Sequence, residues 1–160
     1  MNNCVGFRNH KHFVLFLFYA TIACSYALVL MFSRAIEWII IATNNPSYEA
    51  PIFQVVALTI NCVILFPVTI GIAFLFHYQI SLVFSNLTTI DEYVRDKEKK
   101  EARQEGRTYS WPYDFGWKKN WRLFFGKSVF DWFHVNRPPK GDGTSFEKVE
   151  SFENGEPRFF

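Results

Sequence analysis

Charge is what the first half of this chain has least of. Residues 1–84 carry five charged side chains: Arg8, Lys11, Arg34, Glu37 and Glu49. Over the whole chain the mean hydropathy is neutral and the formal net charge is only +2. Those averages conceal an apolar half joined to a highly charged one. The small net charge also speaks against nucleic acid. Aromatics and bases do mix in the second half, as in a stacking platform, but no strongly basic groove goes with them. No nucleic-acid partner is expected. Cysteines number three, Cys4, Cys24 and Cys62, too few for a disulfide framework. The Gly-Asp-Gly at 141–143 lacks the Gly-Lys-Ser/Thr ending of a phosphate loop. No internal repeat is visible, and no Ser-His-Asp or paired-carboxylate spacing points to a reaction.

What is present is two long uncharged runs. One goes from Phe13 to Phe32; the other goes from Pro51 to Phe84, where only His77 changes charge near neutral pH. A bilayer core of about 30 Å takes about 20 helical residues to cross. In hydrocarbon the backbone must satisfy its own hydrogen bonds, so each run is predicted to be a helix. The first run exceeds the ~7–15 apolar residues of a signal peptide and has no obvious Ala-x-Ala-like cleavage site, so it reads as a retained span. Basic residues set orientation. Arg8 and Lys11 precede the first span, and Arg95, Lys97, Lys99, Lys100, Arg103 and Arg107 follow the second. Both ends are expected in the cytosol, with a short outer loop at "NNPSY", where Asn-Pro starts a turn. The sequon Asn86-Leu87-Thr88 then lies on the cytosolic side and is expected to stay unmodified.

The second half divides into three. "IDEYVRDKEKKEARQEGR" alternates acids and bases at helical spacing and predicts a solvated juxtamembrane helix, with Thr88 to Asp91 as its capping sequence. From Asn120 onward, Trp121, Phe124, Phe125, Val129 and Trp132 recur every three or four residues. That is the apolar stripe of an amphipathic helix suited to a membrane interface, weakened by Gly126. After Pro138-Pro139, a Gly- and acid-rich stretch predicts a loop and a flexible tail. The fold class expected is an all-α membrane protein with two transmembrane helices, a cytosolic juxtamembrane helix, an amphipathic aromatic helix and a tail. His10 and His12, spaced i,i+2, do not share a helix face; with Cys4 they fall short of four zinc ligands. They read first as residues flanking a span. His77, late in the second span, reads as snorkelling or bonding to another helix.

Four motifs in order carry a resemblance. "NNCVGFRNHKHFVLFLFY" resembles the segment that follows the Asp-His-His-Cys motif of the DHHC-type protein S-acyltransferases, with Asn2, Asn3, Cys4, Val5, Gly6 and Asn9 matching. "TTID" resembles that family's Thr-Thr-x-Glu, with Asp91 in place of Glu. "YDFGWKKNWRLFFG" resembles its C-terminal motif, centred on Asn120, and "GDGTSF" the segment beyond it. The resemblance implies that residues 1–12 end a cytosolic cysteine-rich domain and that 13–41 and 52–84 are family spans three and four. It places an exoplasmic loop at 42–51, a cytosolic C-terminal region at 85–146 and a flexible tail at 147–160.

By the same resemblance Cys4 is a zinc ligand, in a site that this chain leaves incomplete. Asn3, Gly6, Asn9, Thr88, Thr89, Asp91 and Asn120 are motif positions, the threonine hydroxyls helping to hold the active region and Asn120 tying the C-terminal segment to the spans. Phe13, Phe16 and Ala23 are candidate walls of an acyl-chain cavity; facing lipid or neighbouring helices is the equal alternative. The implied reaction passes palmitoyl from palmitoyl-CoA to cysteines of substrate proteins at the cytosolic face of an endomembrane or the plasma membrane. The family nucleophile would align before Met1, so the chain alone is expected to be inactive. The implied partners are acyl-CoA, membrane lipid and proteins with cytosolic cysteines. The competing expectation is a non-catalytic two-span protein that binds or regulates an acyltransferase.

Overall fold

A computed structural model describes residues 5–133, 146, 148 and 149. Among these the chain is all-α. Helix α1 is His10–Asn44, α2 is Ile52–Phe84, α3 is Thr89–Gln104, α4 is Trp117–Phe125 and α5 is Val129–Phe133. The expectations at Asn3, Cys4, Pro138-Pro139, most of "GDGTSF" and the tail lie outside the described residues. The chain forms two compact units, Phe16–His77 and the combination of Met1–Leu15 with Tyr78–Phe160.

The unit Phe16–His77 holds the greater part of α1 and α2. These helices have 35 and 33 residues, about 50 Å each at 1.5 Å per residue, so both are long and apolar enough to cross a membrane. They leave large apolar side chains outward: Phe53 is 81% exposed, Phe74 72% and Val63 69%. A core helix of a soluble domain would bury such residues; a lipid-facing helix need not. Several polar side chains in the unit return to their own helix. Thr21 donates to the Leu17 carbonyl, Ser33 to Val29, Thr59 to Val55, Asn61 to Ala57 and Thr69 to Leu65, all at 2.7–2.8 Å. Each hydroxyl or amide is thereby satisfied without water. Pro67 interrupts the ladder inside α2, because it has no N–H to give to the carbonyl four residues earlier. Phe18 packs on Phe76 with ring centroids 5.9 Å apart, and the Cys62 thiol lies 3.8 Å from the Met31 sulfur.

In the other unit, the single amphipathic helix expected from Asn120 onward is divided. Gly126 takes φ +97°, ends α4, and α5 starts afresh at Val129. With ψ 177° beside that positive φ, Gly126 takes a conformation that residues with a Cβ avoid, and the break outweighs the apolar period. The break turns Val129 outward, 58% exposed, while Phe125 stays buried at 5%.

Candidate functional site at the helix ends

The unit formed by Met1–Leu15 and Tyr78–Phe160 gathers polar side chains where α1 begins and α2 ends. It starts with a turn. Gly6 N–H donates to the Asn9 side-chain oxygen at 2.7 Å, and His10 N–H returns to the Gly6 carbonyl at 2.9 Å. A side chain three residues on that holds the entry N–H is the return half of a capping box. Gly6 and Asn9 are thus joined, and they set the direction in which α1 leaves.

The next two residues are polar and buried, His10 at 3% and Lys11 at 2% exposure. His10 Nε2 lies 2.9 Å from the Gln79 side-chain oxygen on α2, and its ring meets the Phe124 ring edge-on at 4.9 Å. Lys11 Nζ donates to the Asp131 carbonyl at 2.8 Å. His12 is exposed, so the two histidines do fall on different faces.

At the far end of α2, Asn86 adopts φ +51°, a left-handed conformation that asparagine tolerates better than most side chains. Its amide nitrogen donates to the Tyr113 carbonyl at 2.8 Å. Thr88 then caps α3. Its hydroxyl accepts from Asp91 N–H at 3.3 Å and donates to the Asp91 carboxylate at 2.6 Å, and that carboxylate also takes the Thr88 N–H at 2.9 Å. Thr88 and Asp91 thereby form a reciprocal capping box, each side chain holding the other's N–H. Thr89 is exposed, and among the described residues its hydroxyl makes no hydrogen bond.

Asn120 is fully buried, at 0% exposure. Its amide nitrogen donates to the Phe84 carbonyl and to the Asp114 carboxylate, both at 2.7 Å, and its oxygen accepts from Phe115 N–H at 3.1 Å. Phe84 is the last residue of α2, whose final carbonyls have no partner within the helix. Asn120 therefore caps α2 from another helix while it closes the turn that starts α4. Trp121, next in sequence, stacks on Phe84 at 5.5 Å. Trp132 returns from α5, its ring edge-on to Trp121 at 5.4 Å and its N–H 3.3 Å from the Gly126 carbonyl.

Helix α3 is tied by two tyrosines. Tyr78 donates to Glu92, and Tyr109 donates to Glu98. Burial first, and then the Glu98 carboxylate, push the Tyr109 phenol above its ordinary value. Phe146 packs edge-on against both Phe7, at 5.2 Å, and Tyr113, at 6.2 Å.

Of the residues singled out in the sequence, Gly6 with Asn9 and Thr88 with Asp91 form bonded pairs, and Asn120 forms its own hub. Phe13 is half-buried. Phe16 and Ala23 are exposed on α1, seven residues apart and so on one stripe of the helix. The sequence reading did not single out Gln79, Asp114 or the burial of Lys11. The available signals were an amide inside an apolar run, and an acid two residues before a glycine. Among the described residues no three His, Cys, Asp or Glu side chains converge to hold a metal. The described residues do not themselves make a zinc site. What the arrangement does is brace: it joins the start of α1, the end of α2 and the aromatic segment.

Residues 1–96 match the DHHC palmitoyltransferase family. Among curated proteins the chain is 30% identical over 146 residues to "Probable protein S-acyltransferase 16" of Arabidopsis thaliana, covering 91% of this chain and 50% of that protein. It is 31% identical over 149 residues to "Probable protein S-acyltransferase 15" of the same plant, covering 91% and 56%. To "Palmitoyltransferase ZDHHC20" of Homo sapiens it is 32% identical over 152 residues, covering 91% and 37%. The chain thus spans about half the length, or less, of these relatives. With two helices able to span the bilayer, it is a multi-pass integral membrane protein.

Proposed function

The chain belongs to the DHHC palmitoyltransferase family, and from that membership we propose that it is the part of a protein-cysteine S-palmitoyltransferase comprising spans three and four and the cytosolic C-terminal region. The family match over residues 1–96 carries this reading, and the buried Asn120 hub supports it. In this reaction a cysteine thiolate attacks the thioester carbonyl of palmitoyl-CoA and releases CoA thiolate; a substrate cysteine thiolate then attacks the acyl-enzyme and frees the first cysteine. The 160 residues contain no Asp-His-His-Cys run. In this reading the nucleophile comes from sequence N-terminal to Asn2, and Cys4 belongs to the zinc-bound segment beside it.

The roles of the chain's own residues follow. Gly6 and Asn9 direct the polypeptide from that segment into the first span. Thr88, Thr89 and Asp91 support the active region from the end of the second span, and Asn120 holds the aromatic segment there. Phe13, Phe16 and Ala23 line the acyl chain, with the small Ala23 leaving room for chains at least as long as palmitoyl. Both termini lie in the cytosol, on an endomembrane or the plasma membrane. Partners are acyl-CoA, membrane lipid and proteins bearing cytosolic cysteines.

The test begins with the native transcript upstream of the Met1 codon. An in-frame run for Asp-His-His-Cys-Pro-Trp is expected, and its product should take up clickable palmitate in a hydroxylamine-sensitive bond. A product that carries the run and forms no thioester would sink the proposal. A stop codon directly upstream, with a matching transcript start, would favour the short regulatory protein instead. In the active product, Ala23→Tyr should shift acyl-CoA competition towards shorter chains; an unchanged profile removes Ala23 from the cavity.

A further inference from the structure

Lys11 is a buried cation at the entrance of α1. Burying an ammonium is costly unless its protons find acceptors, so a lysine at 2% exposure needs a reason. The structure supplies an acceptor 120 residues away, the Asp131 carbonyl. Asp131 belongs to α5, a helix of five residues. A protonated lysine donating to a carbonyl makes a charge-assisted bond, which offsets part of the cost of burying the ammonium.

In helix α5, Val129 and Phe130 bury little apolar surface, at 58% and 87% exposure. Both contacts of Trp132 described above return to α4 or to its glycine cap. Helix α4 has its own anchor, Asn120 on the end of α2. The two short helices are joined through Gly126 at φ +97°, where an added Cβ would meet the Asp131 side chain at 3.0 Å. They are therefore two pieces on one joint. Asn120 holds the first to α2, and Lys11 holds the second to α1.

We propose that Lys11 is a positioning residue, a latch that sets α5 against the start of the first span. It fixes the second half of the aromatic segment relative to the turn at Gly6–Asn9. Its consequence for acyl transfer rests on the function proposed above; the latch itself does not. Removing the donor should release α5 and leave α4 in place, an outcome that general destabilisation would not give.

The experiment compares wild type, Lys11→Met, Lys11→Arg and Asn120→Leu in the 160-residue chain in lipid nanodiscs, by hydrogen exchange and by tryptic cleavage after the exposed Lys127. Lys11→Met keeps the apolar stem and loses the donors. Loss of the charge-assisted bond to the Asp131 carbonyl should raise α5 exchange and cleavage about tenfold or more, with α4 exchange within about twofold of wild type. Lys11→Arg should restore protection, since a guanidinium can also donate to a carbonyl. Asn120→Leu should expose α4. Unchanged α5 exchange in Lys11→Met overturns the latch. So does a parallel rise in α4 and α5 that Lys11→Arg does not reverse. If the transcript encodes a product carrying Asp-His-His-Cys, Lys11→Met in it should lower kcat for thioester formation and leave KM for palmitoyl-CoA within about twofold, with Lys11→Arg restoring kcat. A raised KM at unchanged kcat would make Lys11 an acyl-CoA contact and reject the positioning role. If wild type forms no thioester, the acyl-transfer reading fails while the exchange result still decides the latch.

Discussion

The two units of this molecule satisfy their polar groups in opposite ways. Within Phe16–His77, hydroxyls and amides bond three or four residues back along their own helix, as Thr21, Ser33, Thr43, Thr59, Asn61 and Thr69 do. The Cys62–Met31 contact between helices is a weak sulfur pair. In the unit at the helix ends, the bonds that matter reach across 27, 36, 69 and 120 residues, at Asn86, Asn120, His10 and Lys11. The contrast has a physical source. In hydrocarbon no water stands ready to help, and the carbonyls of a side chain's own helix are its nearest acceptors. At the ends, unpaired helix carbonyls and N–H groups are plentiful, and distant side chains can be recruited to them. The spans are locally self-sufficient; the end unit is a tertiary construction.

The harshest way to test that contrast is Asn120→Leu. It strands the Phe84 carbonyl and the Phe115 N–H in a buried place, and should cost about 3 kcal/mol, since each buried unpaired group costs about 1–3 kcal/mol. Unfolding in mixed micelles would measure it, and a loss below about 1 kcal/mol would show that the hub is dispensable. Thr88→Ala removes a cap within the same unit and should cost about 1 kcal/mol. The loss should appear as faster exchange at the first turn of α3, with α4 protected as before.

Tyr109 offers a pH test. Its phenol is raised by burial and then by Glu98. A raised phenol pKa means that the contribution is fully present below the ordinary value of about 10 and is lost as pH rises through the folded value. Between pH 6 and 9 this contact should add no slope to stability. Tyr109→Phe should cost up to about 1 kcal/mol there and abolish the loss that this group contributes at more alkaline pH. The smallest effect belongs to the spans: Thr59→Val should change stability by no more than about 0.5 kcal/mol, because only a local bond to Val55 is removed. A cost as large as that of Asn120→Leu would erase the distinction between the units.

Much of the architecture was legible before any coordinates. The two spans follow from uncharged runs too long for anything but lipid or a large buried core. The cap of α3 follows from "TTID". The aromatic stripe was read as one helix because its period continues through Gly126, yet that glycine, at positive φ, interrupts it. Gln79, Asp114 and Asn86 carried only faint signals, since an amide or acid near a helix end has many ways to be satisfied. Lys11 was more opaque still. A lysine before a span reads as a mark of orientation, and nothing nearby in sequence suggests a carbonyl partner in α5.

The sequence by itself determined the two long helices apolar enough to span a membrane, the capped charged helix that follows them and, through motif order, which family the chain resembles. Those properties depend on composition and on spacings of a few residues. Only the tertiary structure decided which helix ends meet: that Asn120 caps α2, that His10 pairs with Gln79 and that Lys11 closes on α5. Such contacts join positions far apart in the chain. Their partners are often backbone carbonyls, which every residue carries, so no pattern of side chains could have named them in advance.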